Sequence, residues 1–127
     1  MLGETNAVAM LGVKDMKRAR AFYEDALGLK PVHEEGEEVV TYKSGGSTLN
    51  VYRSSFAGTN RATAVIWEVG DLDAEVRHLR AKGVPFEHYE MPGLKVEGDI
   101  HVGGHMRVAW FKDPDGNILS LASSAKS

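Results

Sequence analysis

No cysteine occurs in the 127 residues of this chain, so disulfides, thiolate metal sites and a cysteine nucleophile are excluded. Long apolar runs are also absent, since no window approaches the roughly 18 residues of a membrane-spanning helix. Residues 1–6 lack the basic start and the apolar segment of a signal peptide. Basic charge is not in excess either, because the formal net charge is −3. We therefore expect a soluble, cytoplasmic protein with no nucleic-acid or membrane partner.

What the chain does contain is a near repeat. Residues 7–15, AVAMLGVKD, and residues 63–71, TAVIWEVGD, are apolar runs that both end in Val-x-Asp. A segment with apolar residues at helical spacing follows each run, and three short alternating segments follow each helix. Each half of the sequence therefore reads βαβββ, and the second half includes a predicted strand at residues 84–89.

The ends of both predicted helices carry recognisable caps. Asp15 and Asp71 stand directly before the helical segments, where their carboxylates can accept backbone N–H groups of the first turn. Gly28 and Gly83 stand where a residue in the left-handed conformation ends a helix. These caps fix the start and the end of each predicted helix independently of its apolar pattern.

The two halves also define the domain organisation. We predict a first module at about residues 6–54, a polar linker at 54–61 and a second module at about 62–124. Hydrophobic residues make up 43% of the chain and charged residues 26%, which are ordinary values for a globular protein. Because each module is too small to close a core alone, we expect both to pack into a single domain over residues 1–127.

Several short motifs, taken in their order, resemble the vicinal oxygen chelate superfamily. They are VKD at residues 13–15, FY at 22–23, LG at 27–28 and DPDGN at 113–117. That superfamily includes glyoxalase I, extradiol dioxygenases, fosfomycin-resistance enzymes and bleomycin-resistance proteins. The resemblance implies an α+β fold in which two tandem βαβββ modules form a curled mixed sheet around a cavity, with helices on the outer face. It also implies a homodimer, because such proteins commonly cover exposed sheet edges by pairing their subunits.

The metal-ligand positions of the superfamily are not retained. Metal-dependent members use His, Glu, and His or Gln on cavity-facing strands, and the corresponding positions here are Val8, Asn50, Ala64 and Ser120. Val8 and Ala64 have no donor atom, and the neutral oxygens of Asn50 and Ser120 compete poorly with water for a divalent ion. The sequence therefore predicts neither a metal nor another cofactor.

A second group of polar residues lies in the segment DIHVGGHM. If this segment were a strand, His101 and His105 would lie about 13 Å apart, at roughly 3.3 Å per residue, which is too far for one ion. Only a folded loop could bring them together with Asp99. We predict a polar, glycine-rich loop over residues 91–105 that borders the cavity and is able to act as a lid. Whether the two histidines take part in the site stays open.

Alternation along the strands divides their residues between two faces. If the helices cover Leu11 and Leu121, the opposite face holds a set that combines apolar walls with a few polar anchors. Trp67 has the same parity as the helix-covered residues and is predicted to belong to the core. Similarity to the superfamily implies that Trp110 lies on this opposite face as well. The predicted ligand-binding residues are Met10, Asn50, Tyr52, Ile66, Glu68, Trp110 and Ser120.

Three functions are compatible with these observations. The leading one is a metal-independent small-molecule binding protein of the glyoxalase/bleomycin-resistance type, which sequesters a ligand in the sheet cavity. The alternative is a glyoxalase-, lyase- or isomerase-like enzyme of the same superfamily that uses acid–base chemistry with Glu68 or a loop histidine. The third is a regulatory or interaction module with a vestigial cavity. The sequence identifies neither catalytic residues nor the ligand, since function depends on the site rather than on the fold.

Overall fold

The computed structural model describes residues 1–124, and the last three residues of the predicted domain lie outside them. A short 3₁₀ turn (Leu2–Glu4) precedes the first sheet. This sheet has the strand order β1-β4-β3-β2. Its strands are β1 (Ala9–Val13), β2 (Lys30–Glu35), β3 (Val39–Ser44) and β4 (Ser47–Arg53). Between β1 and β2, helix α1 (Met16–Arg20) continues as a π-helical segment (Ala21–Ala26).

The second sheet has the order β5-β10-β9-β8-β7, and β6 pairs with the other end of β9. Its strands are β5 (Thr63–Glu68), β6 (Phe86–Glu87), β7 (Lys95–Glu97), β8 (Ile100–Gly103), β9 (Met106–Lys112) and β10 (Ile118–Ser124). Helix α2 (Leu72–Ala81) follows β5. Each sheet contains one parallel pair, β1 with β4 and β5 with β10, among antiparallel pairs. The predicted α+β class with mixed sheets is confirmed.

Both helices begin and end at the predicted residues. The Asp15 carboxylate accepts the backbone N–H of Arg18 at 3.2 Å, and the Asp71 carboxylate accepts that of Ala74 at 3.0 Å. Gly28 and Gly83 have φ angles of +75° and +85°, the left-handed conformation that ends each helix. Among residues 1–124, no helix is long and apolar enough to cross a membrane.

Residues 91–105 differ from the single loop that the sequence predicts. Strands β7 and β8 form an antiparallel hairpin in which Glu97 lies opposite Ile100. Gly98 and Gly104, with φ angles of +66° and +57°, each open a two-residue turn, as the first central residue of a type II′ turn does. Of the strand predicted at 84–89, Phe86–Glu87 pair with β9, and this pairing cannot extend to Tyr89 because Val108, the position it would need, already pairs with His101 of β8.

One hydrophobic core is shared by the two halves. The alternating residues Leu11 and Val13 of β1 are buried in it, and so are Leu119 and Leu121 of β10. The residues between them in sequence therefore lie on the opposite sheet face. This alternation decides which side chains are available to a ligand.

The DPDGN turn fastens the second half to the first. Asp113 is 4% exposed, and its carboxylate accepts the Tyr23 hydroxyl at 2.7 Å and the side-chain amide of Asn117 at 2.8 Å. It also accepts the backbone N–H groups of Asp115 and Asn117, both at 2.9 Å. Asn117 in turn donates to the carbonyl oxygen of Gly12 at 2.8 Å. Burial and the neighbouring carboxylate raise the pKa of Tyr23 far above its usual range.

The linker packs against the same turn. Gly58 has a φ angle of +72°, and a Cβ atom at this position would lie 1.8 Å from the backbone carbonyl oxygen of Asp115. Arg18 adds a hydrogen bond of 3.2 Å to the carbonyl oxygen of Pro114. Helix α1, the linker and the DPDGN turn therefore form one junction between the two sheets.

Candidate functional site

The first-half residues of the predicted site lie on neighbouring strands. Met10 of β1 is the register partner of Asn50 of β4, and the Asn50 side-chain nitrogen lies 3.4 Å from the Met10 sulfur. The Asn50 side-chain oxygen accepts the Thr41 hydroxyl at 2.6 Å. Tyr52 lies two residues further along β4, opposite Gly12, and is half-buried. These residues form an open surface rather than a closed pocket, since Met10 is 54% exposed.

Three second-half residues of the predicted site meet in one hollow. Ser120 of β10 has Ile66 of β5 as its register partner on one side and Trp110 of β9 on the other. Together with Ala64 and Val108 they line a shallow hollow of about 280 Å³. We call it the Trp110 hollow. Ser120 is 1% exposed and lies between the two larger side chains, so its small size leaves the space that they border.

Four of the predicted residues lie outside this hollow. Glu68 is at the far end of β5, opposite Ala122, and is exposed. Met10, Asn50 and Tyr52 belong to the first sheet. The structure therefore brings Ile66, Trp110 and Ser120 together. The other four predicted residues also lie on the face opposite the helices, but they do not enclose a pocket.

Trp110 also borders a second hollow, which sequence reasoning missed. It has a volume of about 280 Å³, and Tyr89, Met91, Ile118 and the linker residue Arg61 contribute to its lining. The Trp110 indole N–H donates to the Thr63 hydroxyl at 3.1 Å, and the Tyr89 ring meets the indole edge to face at 5.4 Å. Tyr89 is an aromatic residue at the end of a predicted strand and next to a predicted loop. This position is the signal in the sequence that could have identified it as a site residue.

His101 is buried beneath these aromatic rings. It is 0% exposed, and its ring centroid lies 4.8 Å from that of Trp110. The Nε2 atom accepts the backbone N–H of Tyr89 at 2.9 Å, whereas Nδ1 has no hydrogen-bond partner among residues 1–124. The Tyr89 hydroxyl is likewise buried without a partner in this part of the chain, and burial raises the pKa of Tyr89. Two unpartnered polar atoms thus lie close to Trp110.

The polar residues of DIHVGGHM do not converge. His105 lies in the exposed turn between β8 and β9, whereas His101 points into the protein. Asp99 instead pairs with Arg80 and with His88, whose Nε2 lies 2.8 Å from Asp99 Oδ1. In the part of the chain that the structure describes, its carboxylate accepts no hydrogen bond from His101 or His105. Among the described residues, no group of three His, Asp or Glu side chains could hold a metal ion.

The four positions that the superfamily resemblance aligns with metal ligands do not fit an ion here. Val8 and Ala64 are exposed but carry only aliphatic groups. The Asn50 oxygen already accepts the Thr41 hydroxyl, and Ser120 offers one neutral hydroxyl. A divalent ion requires several anionic or imidazole donors, and these four positions provide none.

Comparison with known proteins identifies a family that matches this chain. Residues 6–121 match the model of the Glyoxalase/Bleomycin resistance protein/Dioxygenase superfamily. No curated protein sequence matches the chain significantly.

Several solved structures share the fold. A lactoylglutathione lyase from Agrobacterium tumefaciens is 19% identical with a TM-score of 0.69, and the match covers 94% of this chain and 93% of that one. An antibiotic binding protein from Streptomyces sp. CB03234 is 21% identical with a TM-score of 0.64, over 94% and 96% of the two chains. A fosfomycin resistance protein from Listeria monocytogenes is 15% identical with a TM-score of 0.70, over 93% and 91%. At these identities the likeness shows the fold alone, and the same fold carries lyase, resistance and binding proteins.

Proposed function

The chain belongs to the Glyoxalase/Bleomycin resistance protein/Dioxygenase superfamily, and we propose that it is a metal-independent small-molecule binding protein. It sequesters its ligand on the sheet face opposite the helices, with Trp110 as the main contact. The observation that carries this proposal is the Trp110 hollow, in which an aromatic face and apolar walls adjoin two small hydroxyls, those of Ser120 and Thr63. A protein of similar fold is described as an antibiotic binding protein, which agrees with this type of function.

The side chains around the hollow define the kind of ligand that would bind. A planar, apolar body would stack on the Trp110 ring and contact Ile66, since both side chains line the hollow. One polar group would reach the Ser120 hydroxyl. Glu68 lies on the same face of β5, two residues from Ile66, and would complement a positive charge at the edge of the ligand.

A thermal-shift screen tests the proposal and separates it from the other functions. The screen contains divalent ions, cationic glycopeptides and planar aromatic compounds. Stabilisation by an organic compound without added metal would support the binding protein, because a ligand that binds only the folded state raises the melting temperature. Stabilisation by metal ions alone would contradict it, and no stabilisation at all would favour an interaction module.

The purified protein should contain no stoichiometric transition metal. Val8 and Ala64 provide no donor atom at two of the four ligand positions, so the remaining neutral oxygens would hold an ion only weakly. Elemental analysis after gel filtration measures this directly. About one Zn, Ni, Fe or Mn ion per chain, lost when Asn50 or Ser120 is replaced, would show that these positions do hold a metal.

We also expect a homodimer in solution. Several large apolar side chains on the sheet face opposite the helices are half exposed or more in the single chain: Met10 at 54%, Ile66 at 52% and Met106 at 55%. Covering them with a second copy would remove apolar surface from water and shield both sheet edges. Light scattering should give about twice the mass of 13.8 kDa at micromolar concentration. A mass that stays at one chain across this range would contradict the dimer.

One observation favours the enzyme as a second candidate function. The His101 imidazole is buried next to Trp110, and its Nδ1 atom has no hydrogen-bond partner among residues 1–124, so it would be the general acid or base of a glyoxalase-, lyase- or isomerase-like reaction. Turnover of the substrate of lactoylglutathione lyase in the presence of a chelator, lost in His101→Gln, would favour this candidate. Ligand binding that is retained in both proteins without turnover would favour the binding protein.

A further inference from the structure

A separate cavity lies in the seam between the two halves, among side chains on the core side of the sheets. Leu27 and Leu29 border it from the segment that follows α1, and Leu79 borders it from α2. Val69 and Leu121 contribute from the second sheet region. We call this space the seam cavity, and its volume is about 210 Å³. None of the seven predicted ligand-binding residues lines it.

Two stacked aromatic rings form one wall of the seam cavity. The Trp67 and Phe111 rings are nearly parallel, with 17° between their planes and 6.5 Å between their centroids. The Trp67 indole N–H donates to the Ser44 hydroxyl at 2.9 Å, so the only polar atom of this side chain already has a partner. The rings therefore present apolar surface to the cavity, as the surrounding leucines do.

Among the residues that the structure describes, Glu75 is the only ionisable one that lines the seam cavity. It belongs to the first turn of α2 and is exposed, which places its carboxylate where the cavity meets solvent. Among residues 1–124, no basic side chain forms an ion pair with it. A carboxylate beside an apolar cavity attracts a cation whose remaining atoms are apolar.

We propose that the seam cavity is a second binding site, which takes a small aryl-alkyl ammonium compound. The ring would enter between Leu79 and the stacked pair of Trp67 and Phe111, and the ammonium group would remain at the mouth beside Glu75. The size agrees, because an apolar cavity of about 150 Å³ already holds benzene, and this one leaves room for a short chain as well. This site is independent of the Trp110 hollow and does not rest on the proposed function.

Fluorescence provides a test that is specific for this site. The chain has two tryptophans, so the variant Trp110→Phe leaves Trp67, in the wall of the seam cavity, as the only indole emitter. Titration of this variant with 2-phenylethylammonium should give a saturable change of Trp67 emission, with a dissociation constant of about 1 mM for so small a ligand. The neutral compound 2-phenylethanol should bind about threefold more weakly, since it lacks the exposed charge pair.

Two further variants in the same background identify the residues responsible. Val69→Phe fills the cavity from a half-buried position and should weaken binding at least about tenfold. If the Val69→Phe protein does not fold, Leu29→Phe takes its place, because Leu29 is also half-buried and narrows the cavity from the other half. Glu75→Gln should remove the preference for the ammonium compound. Glu97→Gln, at an exposed carboxylate on β7, is the matched control and should retain the preference.

The outcomes decide the proposal in either direction. Saturable binding that is weakened by the filling variants and loses its charge preference in Glu75→Gln supports the seam site. A Trp67 emission that does not change with 2-phenylethylammonium overturns it. Binding that persists unchanged in a folded filling variant also overturns it, and so does an equal affinity for the charged and the neutral compound. Because Trp67 is the only indole whose emission is measured, loss of ligand binding at the Trp110 hollow cannot produce any of these results.

Discussion

Replacing Asp113 by alanine should lower the free energy of unfolding by about 4 kcal/mol, because four hydrogen bonds lose their common acceptor inside the protein. The donors are the Tyr23 hydroxyl, the Asn117 side-chain amide and two backbone N–H groups. Each donor that stays buried without a partner costs roughly 1–3 kcal/mol, and the lower value applies where water reaches the turn. Urea denaturation of both proteins measures the difference.

Three matched variants show whether this loss belongs to the junction. Tyr23→Phe removes one of the four bonds and should cost about 1 kcal/mol. Asp113→Asn keeps one acceptor oxygen and should fall between Tyr23→Phe and Asp113→Ala. Asp25→Ala changes an exposed aspartate on the same helical segment as Tyr23 and should stay within about 0.5 kcal/mol of the original protein. An Asp113→Ala protein as stable as the Asp25→Ala protein would contradict the structural role of the DPDGN turn.

Trp110→Ala should cost on the order of 2 kcal/mol in ligand affinity, or about thirtyfold, which is typical of an aromatic side chain at the centre of a binding site. The reason is the loss of a large apolar face that borders both hollows. Ser120→Ala should cost about 1 kcal/mol, because it removes one neutral hydrogen bond and no contact area. Calorimetric titration with a ligand from the screen, together with a folding check, gives these numbers.

The second tryptophan is the natural control for this experiment. Trp67 packs on the core side and does not line the Trp110 hollow, so Trp67→Phe should leave the affinity at that hollow unchanged. Unchanged affinity in a folded Trp110→Ala protein would mean that the ligand binds elsewhere. An equal loss in both tryptophan variants would indicate a general effect on folding rather than a contact at the site.

Local patterns were sufficient to predict much of the architecture. The caps at Asp15 and Asp71 and the glycines after both helices depend on residues adjacent in sequence, so the sequence contains all the information that they need. The superfamily resemblance, which rests on the order of short motifs, is confirmed by the match over residues 6–121. The division of strand residues into two faces follows from the same local alternation.

The hairpin of β7 and β8 was missed although its signal was present. Gly98-Asp99 separates two short alternating segments, which is a recognised pattern for a two-residue hairpin turn. The density of glycine in the segment favoured a mobile loop instead. The sequence therefore predicts His101 in a polar loop, whereas in β8 it is fully buried against Trp110.

Contacts between distant parts of the chain could not be predicted from local patterns. Tyr23 and Asp113 are 90 residues apart and Gly12 and Asn117 are 105 apart, yet each pair shares a hydrogen bond. The seam cavity arises in the same way, since its walls come from both halves. The packing of the two sheets decides which hollows form and which of the predicted site residues share one. Alternation within one strand contains no information about that packing.

The most direct test of the central claim is a calorimetric titration of the dialysed protein in excess EDTA with the planar compound that stabilises it most in the thermal-shift screen. We predict saturable binding whose affinity is the same, within about twofold, when EDTA is replaced by a mixture of zinc, nickel, iron(II) and manganese ions. Binding that disappears in EDTA and returns with one of these ions would contradict a metal-independent ligand site at the Trp110 hollow.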